Sequence, residues 1–194
     1  MDGTAAMHGG VDFDYRLEDN LTRASGRVFL TGIQALVRMM ITQSRLDRQR
    51  GLDTAGFATG YRGSPLAGVD LAMWRAAAQL QAHRIRFMPA VNEDLAATVL
   101  MGTQQAGVHP ERTVDGVFGL WYGKGPGVDR AGDALHHGHA AGASRHGGVL
   151  LVVGDDHAAV SSSIPHASEA SLAGWRIPVL HPASVEEYET FGLY

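Results

Sequence analysis

Residues 85–107, IRFMPAVNEDLAATVLMGTQQAG, decide the fold. The first seven form a short apolar run that reads as a strand. Asn92 then supplies a helix-capping side chain, and Glu93 and Asp94 place acids where the positive end of a helix dipole favours them. The remainder reads as a helix. A strand that passes within a few residues into a capped helix is half of a βαβ unit, and a parallel sheet follows if its neighbours repeat the pattern.

They do repeat it. Upstream, LDTAGFATGY (52–61) reads as a strand and VDLAMWRAAAQLQAH (69–83) as a helix. Downstream, TVDGVFGLWY (113–122) is a strand, 129–144 a helix, GVLLVVGDD (148–156) a buried strand ending in acid, and RIPVL (176–180) one more strand. Ahead of all these, Thr31 can cap a helix whose Ile33, Leu36, Val37, Met40 and Ile41 share one face, with Gly51 at its end. The expected class is α/β, an open, mostly parallel sheet with helices on both faces. Residues 1–20 read as a flexible lead-in and 21–194 as one domain. Ser184 and Glu187 announce a further helix that has only YETFGLY left to run in, so a C-terminally truncated domain is expected.

Composition narrows the function. At 194 residues with 45% apolar and 19% charged side chains, the chain can bury a core without staples. A formal charge of -4 gives no reason to expect nucleic acid. The chain has no cysteine, which removes disulfides, thiolate zinc sites and cysteine-held iron–sulfur clusters from this stretch. No basic-then-apolar leader opens it and no run approaches the ~20 apolar residues of a membrane span. Cytoplasm is the default expectation.

Ligands of open parallel sheets gather at the carboxyl ends of the strands. Four segments belong there: TGYRGSPLAGVD (59–70), PAVNEDLA (89–96), YGKGPGVDRAGD (122–133) and GDDHAAVSSSIPHASE (154–169). Common phosphate motifs fail on them. GLWYGKG (119–125) is one residue short of a Walker A loop and has Gly125 where a magnesium-binding hydroxyl is required. GKGPGV misses the dinucleotide spacing, and its proline lacks an amide. His136, His137 and His139 point different ways on a helix, with no carboxylate pattern to complete a metal site. SSSIP lacks the glycines of a nucleophile elbow. Glu93 has two readings: a first-turn acid worth ~0.3–1 kcal/mol to its helix, or a carboxylate that bonds a ring nitrogen of a cofactor.

Six segments together carry a family resemblance: GRVFLTGIQALVR (26–38), GYRGSPLAGVDLAMWRA (60–76), NEDLAATVLMGTQQ (92–105), DGVFGLWYGKGPGVDRAGDALHHG (115–138), GGVLLVVGDDHAAVSSSIPHASE (147–169) and IPVLHPASVEEY (177–188). From about Tyr15 onward the chain resembles the N-terminal part of the large fused indolepyruvate:ferredoxin oxidoreductases, members of the thiamine-diphosphate-dependent 2-oxoacid:ferredoxin oxidoreductases. The resemblance implies the pyrimidine-binding domain of the thiamine-diphosphate-binding fold. It implies that Glu93 contacts N1' of the aminopyrimidine, favouring the imino tautomer whose nitrogen takes the proton from C2 of the thiazolium. Ser64 lies where relatives have a hydroxyl near the pyrimidine, though Arg62 and Ser64 depart from the wider Tyr-Pro-x-Thr-Pro pattern. Gly63 would shape that turn. Lys124, Gly125 and Gly127 fall in a glycine-rich cofactor-side loop, as ligand contacts or as plain backbone geometry. Asp155, Asp156 and His157 match a family loop facing the substrate channel or a subunit partner, or they simply end a strand in an Asx turn.

The implied parent reaction oxidatively decarboxylates an aryl 2-oxo acid such as indolepyruvate with coenzyme A and reduces ferredoxin. The diphosphate and its Mg2+ would be held by a domain outside this chain, as would the iron–sulfur clusters, and a homo-oligomer is expected. The isolated chain should be inactive. Two competing readings are a non-catalytic binding or assembly subunit and a nucleotide-binding α/β protein.

Overall fold

The computed structural model describes residues 12–63, 66 and 68–193. Ser64, one of the sequence-derived candidates, lies outside the described residues, as does the start of the lead-in. Helices α1 (Asp19–Thr22), α2 (Gly32–Gln49), α3 (Val69–Arg75), α4 (Ala77–Ala82), α5 (Glu93–Gln104), α6 (Gly125–Ala141), α7 (Glu169–Gly174) and α8 (Val185–Gly192) surround strands β1 (Ala55–Gly60), β2 (Ile85–Phe87), β3 (Val117–Lys124) and β4 (Gly148–Gly154). The sheet runs β2-β1-β3-β4 and every pairing is parallel. The expected open α/β architecture is therefore present.

Alternation along the strands sorts the core into two layers. Ala58, Ile85, Phe118, Leu120 and Tyr122 face α2, α3 and α4. Phe57 and Trp121 face α5, α6 and α7. The chain thus leaves β1 over one face and β3 over the other. Moving outward from β1 to β2 on one face and back across to β3 on the opposite face keeps a single crossover hand. The neighbours β1 and β3 accordingly mark the switch point, the place on an open parallel sheet where ligands commonly bind.

Local signals explain the boundaries. Thr31 and Gln34 complete a reciprocal capping box at the start of α2. Gly51, at φ +77°, ends it with hydrogen bonds from Gly51 N–H to the Arg48 carbonyl and from Leu52 N–H to that of Asp47, the paired pattern a left-handed cap makes. The helix expected over 69–83 bends at Ala76, yet Ala76 N–H still reaches Ala72 and Leu80 N–H reaches Ala76. Residues 12–20 are tied to the domain: Arg23 pairs with Asp12 and Asp19, and Arg38 donates to the Asn20 carbonyl. Ser184 caps α8 by accepting from Glu187 N–H, while the Glu187 carboxylate takes the Ala183 amide.

Three expectations need correction. Strand β4, expected to be buried, is an edge of the described sheet, and its residues are half-buried or exposed because no further described strand covers that side. Residues 176–180 form no strand. Arg176 adopts φ +63° as the left-handed cap of α7, with Ile177 N–H bonded to the Leu172 carbonyl, and Pro178 has no amide to give a ladder. The segment 124–128 is not a loop: α6 begins at Gly125, directly after β3. Proline is compatible with the first turn of a helix because its missing N–H would be unpaired there anyway.

No described helix is long and apolar enough to cross a membrane.

Candidate functional site

The candidate site lies at the carboxyl edge of the sheet, where β1, β3 and β4 end and α5 and α6 begin. Asn92 caps α5 by accepting the Leu95 amide at 2.8 Å. This sets Glu93 as the first helical residue and turns it inward, toward the first turn of α6. A Cβ added at Gly127 would lie 2.7 Å from Glu93 Cγ and 3.1 Å from its Oε1. Glycine at 127 is therefore the clearance that lets the glutamate lie against α6. From below, fully buried Trp121 on β3 donates its indole N–H to the Glu93 carbonyl at 3.2 Å. Three elements thus fix the backbone and stem of one carboxylate.

Its head group is treated differently. The Glu93 side chain is 8% exposed, and among the described residues its carboxylate takes part in no hydrogen bond; its one recorded charged neighbour is Arg130 Nε at 3.9 Å. The amide ends of α5 and α6 supply favourable partial charge, about 0.3–1 kcal/mol each. The stem is sheltered while the oxygens still reach solvent, so their acceptor positions stay open to a donor that arrives from the strands' carboxyl ends. Among the described residues, two buried polar atoms at the carboxyl ends of the central strands have no hydrogen-bond partner: Thr59 Oγ1 on β1 and the Tyr122 hydroxyl on β3. Burial, helped by nearby Asp70, pushes the Tyr122 phenol up from its ordinary range.

The other described candidates make contacts within the fold. Lys124 ends β3 and sends Nζ to the Ser161 carbonyl at 2.8 Å and to Ser161 Oγ at 3.2 Å. Gly125 lets α6 begin beside the loop after β4; a Cβ there would sit 2.5 Å from His166 Cβ and 2.7 Å from Asp155 Oδ1. Asp155 accepts both the Ser168 amide and its hydroxyl, at 2.5 and 2.7 Å, fastening the start of α7. Asp156 accepts the Ser161 and Val160 amides at 2.7 and 2.9 Å. Those backbone bonds, Ser161's first, hold its carboxyl below the usual range. His157 Nδ1 meets the His166 carbonyl at 2.7 Å and is exposed. Gly63 turns the chain beside the Tyr61 ring.

Glu93, Gly125, Gly127 and Asp155 are thus brought together around the start of α6, whereas Asp156 and His157 organise the outer loop. Trp121, Arg130, His166 and Ser168 were not found from sequence. Arg130 had one readable signal: it lies three residues after Gly127, hence on the same helical face. Among the described residues no cluster of His, Cys, Asp and Glu could hold a metal. No protein-family model matches this chain, and no curated protein or solved structure matches it.

Proposed function

We propose that this chain supplies the aminopyrimidine-binding half of a thiamine diphosphate site, in an oxidoreductase that decarboxylates aryl 2-oxo acids such as indolepyruvate with coenzyme A and passes electrons to ferredoxin. The carrying observation is the Glu93 carboxylate: sheltered, fixed at its backbone by Asn92 and Trp121, and without a hydrogen bond among the described residues at the carboxyl edge of a parallel sheet.

An aminopyrimidine fits that chemistry. It presents ring nitrogens and an amino group, and a carboxylate with free acceptor positions is the complement of a protonated ring nitrogen. When bound, thiamine diphosphate supplies a thiazolium carbon that can become a carbanion, which is what cleavage beside a keto group requires. Glu93 would hold a proton at the ring nitrogen. Gly127 gives the glutamate room, Trp121 prevents the first turn of α5 from rotating it away, and the apolar layer around Trp121 keeps competing water out. Diphosphate, magnesium and clusters are assigned to segments outside this chain.

The test is a titration of the chain with thiamine, followed by NMR amide shifts. Shifts should cluster at 92–97 and 125–131, and Glu93→Gln should weaken binding at least tenfold while far-ultraviolet circular dichroism stays unchanged. Equal affinity in the variant would sink the reading. The chain alone, given indolepyruvate, coenzyme A, thiamine diphosphate and magnesium, should not reduce a viologen dye.

A further inference from the structure

Glu93 and Arg130 form an unequal pair. The glutamate is 8% exposed and held by three elements; the arginine is 59% exposed, and its Nε stops 3.9 Å away, outside hydrogen-bonding range. The acids nearest Arg130 on α6 are directed elsewhere, Asp129 to His166 at 3.6 Å and Asp133 to His137 at 3.2 Å. Among the described residues, Glu93 is the ion-pair partner recorded for Arg130.

We propose that Arg130 is a displaceable counter-ion that shields the open side of Glu93 until a ligand's nitrogen donor takes its place, so that the cleft competes against its own ligand. The inference rests on the aminopyrimidine reading for the identity of that donor. Its physical basis is the asymmetry of the pair. Glu93 cannot leave without dragging the first turn of α5 past Trp121 and Gly127. Arg130 can swing into solvent and regain water at the cost of no hydrogen bond. A carboxylate with so little access to water gains from a nearby opposite charge when no donor reaches it, and the guanidinium supplies it at a distance. A ligand that brings its own donor makes the guanidinium redundant.

The pair therefore lowers affinity for a neutral donor, by no more than one half-exposed ion pair is worth, up to about fivefold in an equilibrium constant. Arg130 acts here as a positioning residue that tunes access, not as a ligand contact.

The probe is the neutral aminopyrimidine alcohol that forms one half of thiamine, chosen so that no ligand charge confuses the result, titrated into the full chain and read by NMR. Arg130→Gln and Arg130→Met should bind it two- to fivefold more tightly than the parent, Arg130→Lys about equally, and Glu93→Gln at least tenfold more weakly. Both neutral Arg130 variants binding equally or more weakly, with Glu93→Gln still impaired, would overturn displacement and leave the proposed function standing. No binding by any form, or binding indifferent to Glu93→Gln, would remove the aminopyrimidine reading and displacement with it. Without ligand, an unfolding double-mutant cycle on Glu93→Gln and Arg130→Gln should give a measurable coupling; none would mean there is no pair to displace.

Discussion

Two acidic corners of the sheet edge resemble each other in sequence and differ in what their oxygens do. In the loop after β4, Asp155 and Asp156 accept four hydrogen bonds between them from Ser168, Val160 and Ser161. At the start of α5, the Glu93 carboxylate takes part in none among the described residues, although its side chain is more than nine-tenths buried. The difference teaches which carboxylate is available for a ligand. Acceptor capacity already filled by backbone amides holds a loop in shape; unfilled capacity in a sheltered position is what a donor-bearing ligand can use.

Substitutions can break this contrast, and the largest effect belongs to the filled corner. Asp155→Ala strands the amide and hydroxyl of buried Ser168 and should destabilise the fold by about 3 kcal/mol, read by urea unfolding. A loss below about 1 kcal/mol would show that these bonds do not carry the loop.

Gly127→Ala comes next. Its methyl would intrude to 2.7 Å of Glu93 Cγ, and overpacking of this kind costs about 1–3 kcal/mol. Combining it with Glu93→Ala should restore most of the loss, because the obstruction is the glutamate stem. If the double variant is no better than Gly127→Ala alone, the clash lies elsewhere in α6.

Asp156 gives a pH-dependent contrast within the filled corner. Its folded pKa lies below the ordinary 3.8 because Ser161 and Val160 amides favour the anion. Its contribution to stability is therefore complete above that ordinary value and disappears as pH falls through the lowered one. Proteolytic nicking between residues 157 and 165 should rise as pH is taken from about 5 toward 2, and Asp156→Asn should remove the pH dependence. A profile unchanged in the variant would assign it to another group.

The smallest effect belongs to Glu93 itself. With no hydrogen bond to lose and only a distant ion pair, Glu93→Gln should change stability by less than about 1 kcal/mol in urea unfolding, despite abolishing the proposed ligand contact. A loss near that of Asp155→Ala would make Glu93 a structural acid after all.

The sequence alone determined the order of the four strands and of the helices between them, because that information is local. Thr31 before α2, Asn92 before Glu93, and Gly51 after α2 are capping choices settled within a turn of chain, and the short apolar run VFGLWY reads as a strand. Glu93 as the residue to watch was legible for the same reason. Tertiary structure decided the rest. That Gly127 makes room for Glu93, that Trp121 reaches its carbonyl, and that Arg130 faces its carboxylate depend on α5 and α6, from two successive crossovers, lying side by side on one face of the sheet, a juxtaposition no spacing in the chain encodes. RIPVL could not be judged from its composition, since a strand exists only through partner hydrogen bonds, and Pro178 with the left-handed Arg176 withholds them. Whether a carboxylate is filled or free is likewise a property of what surrounds it in space.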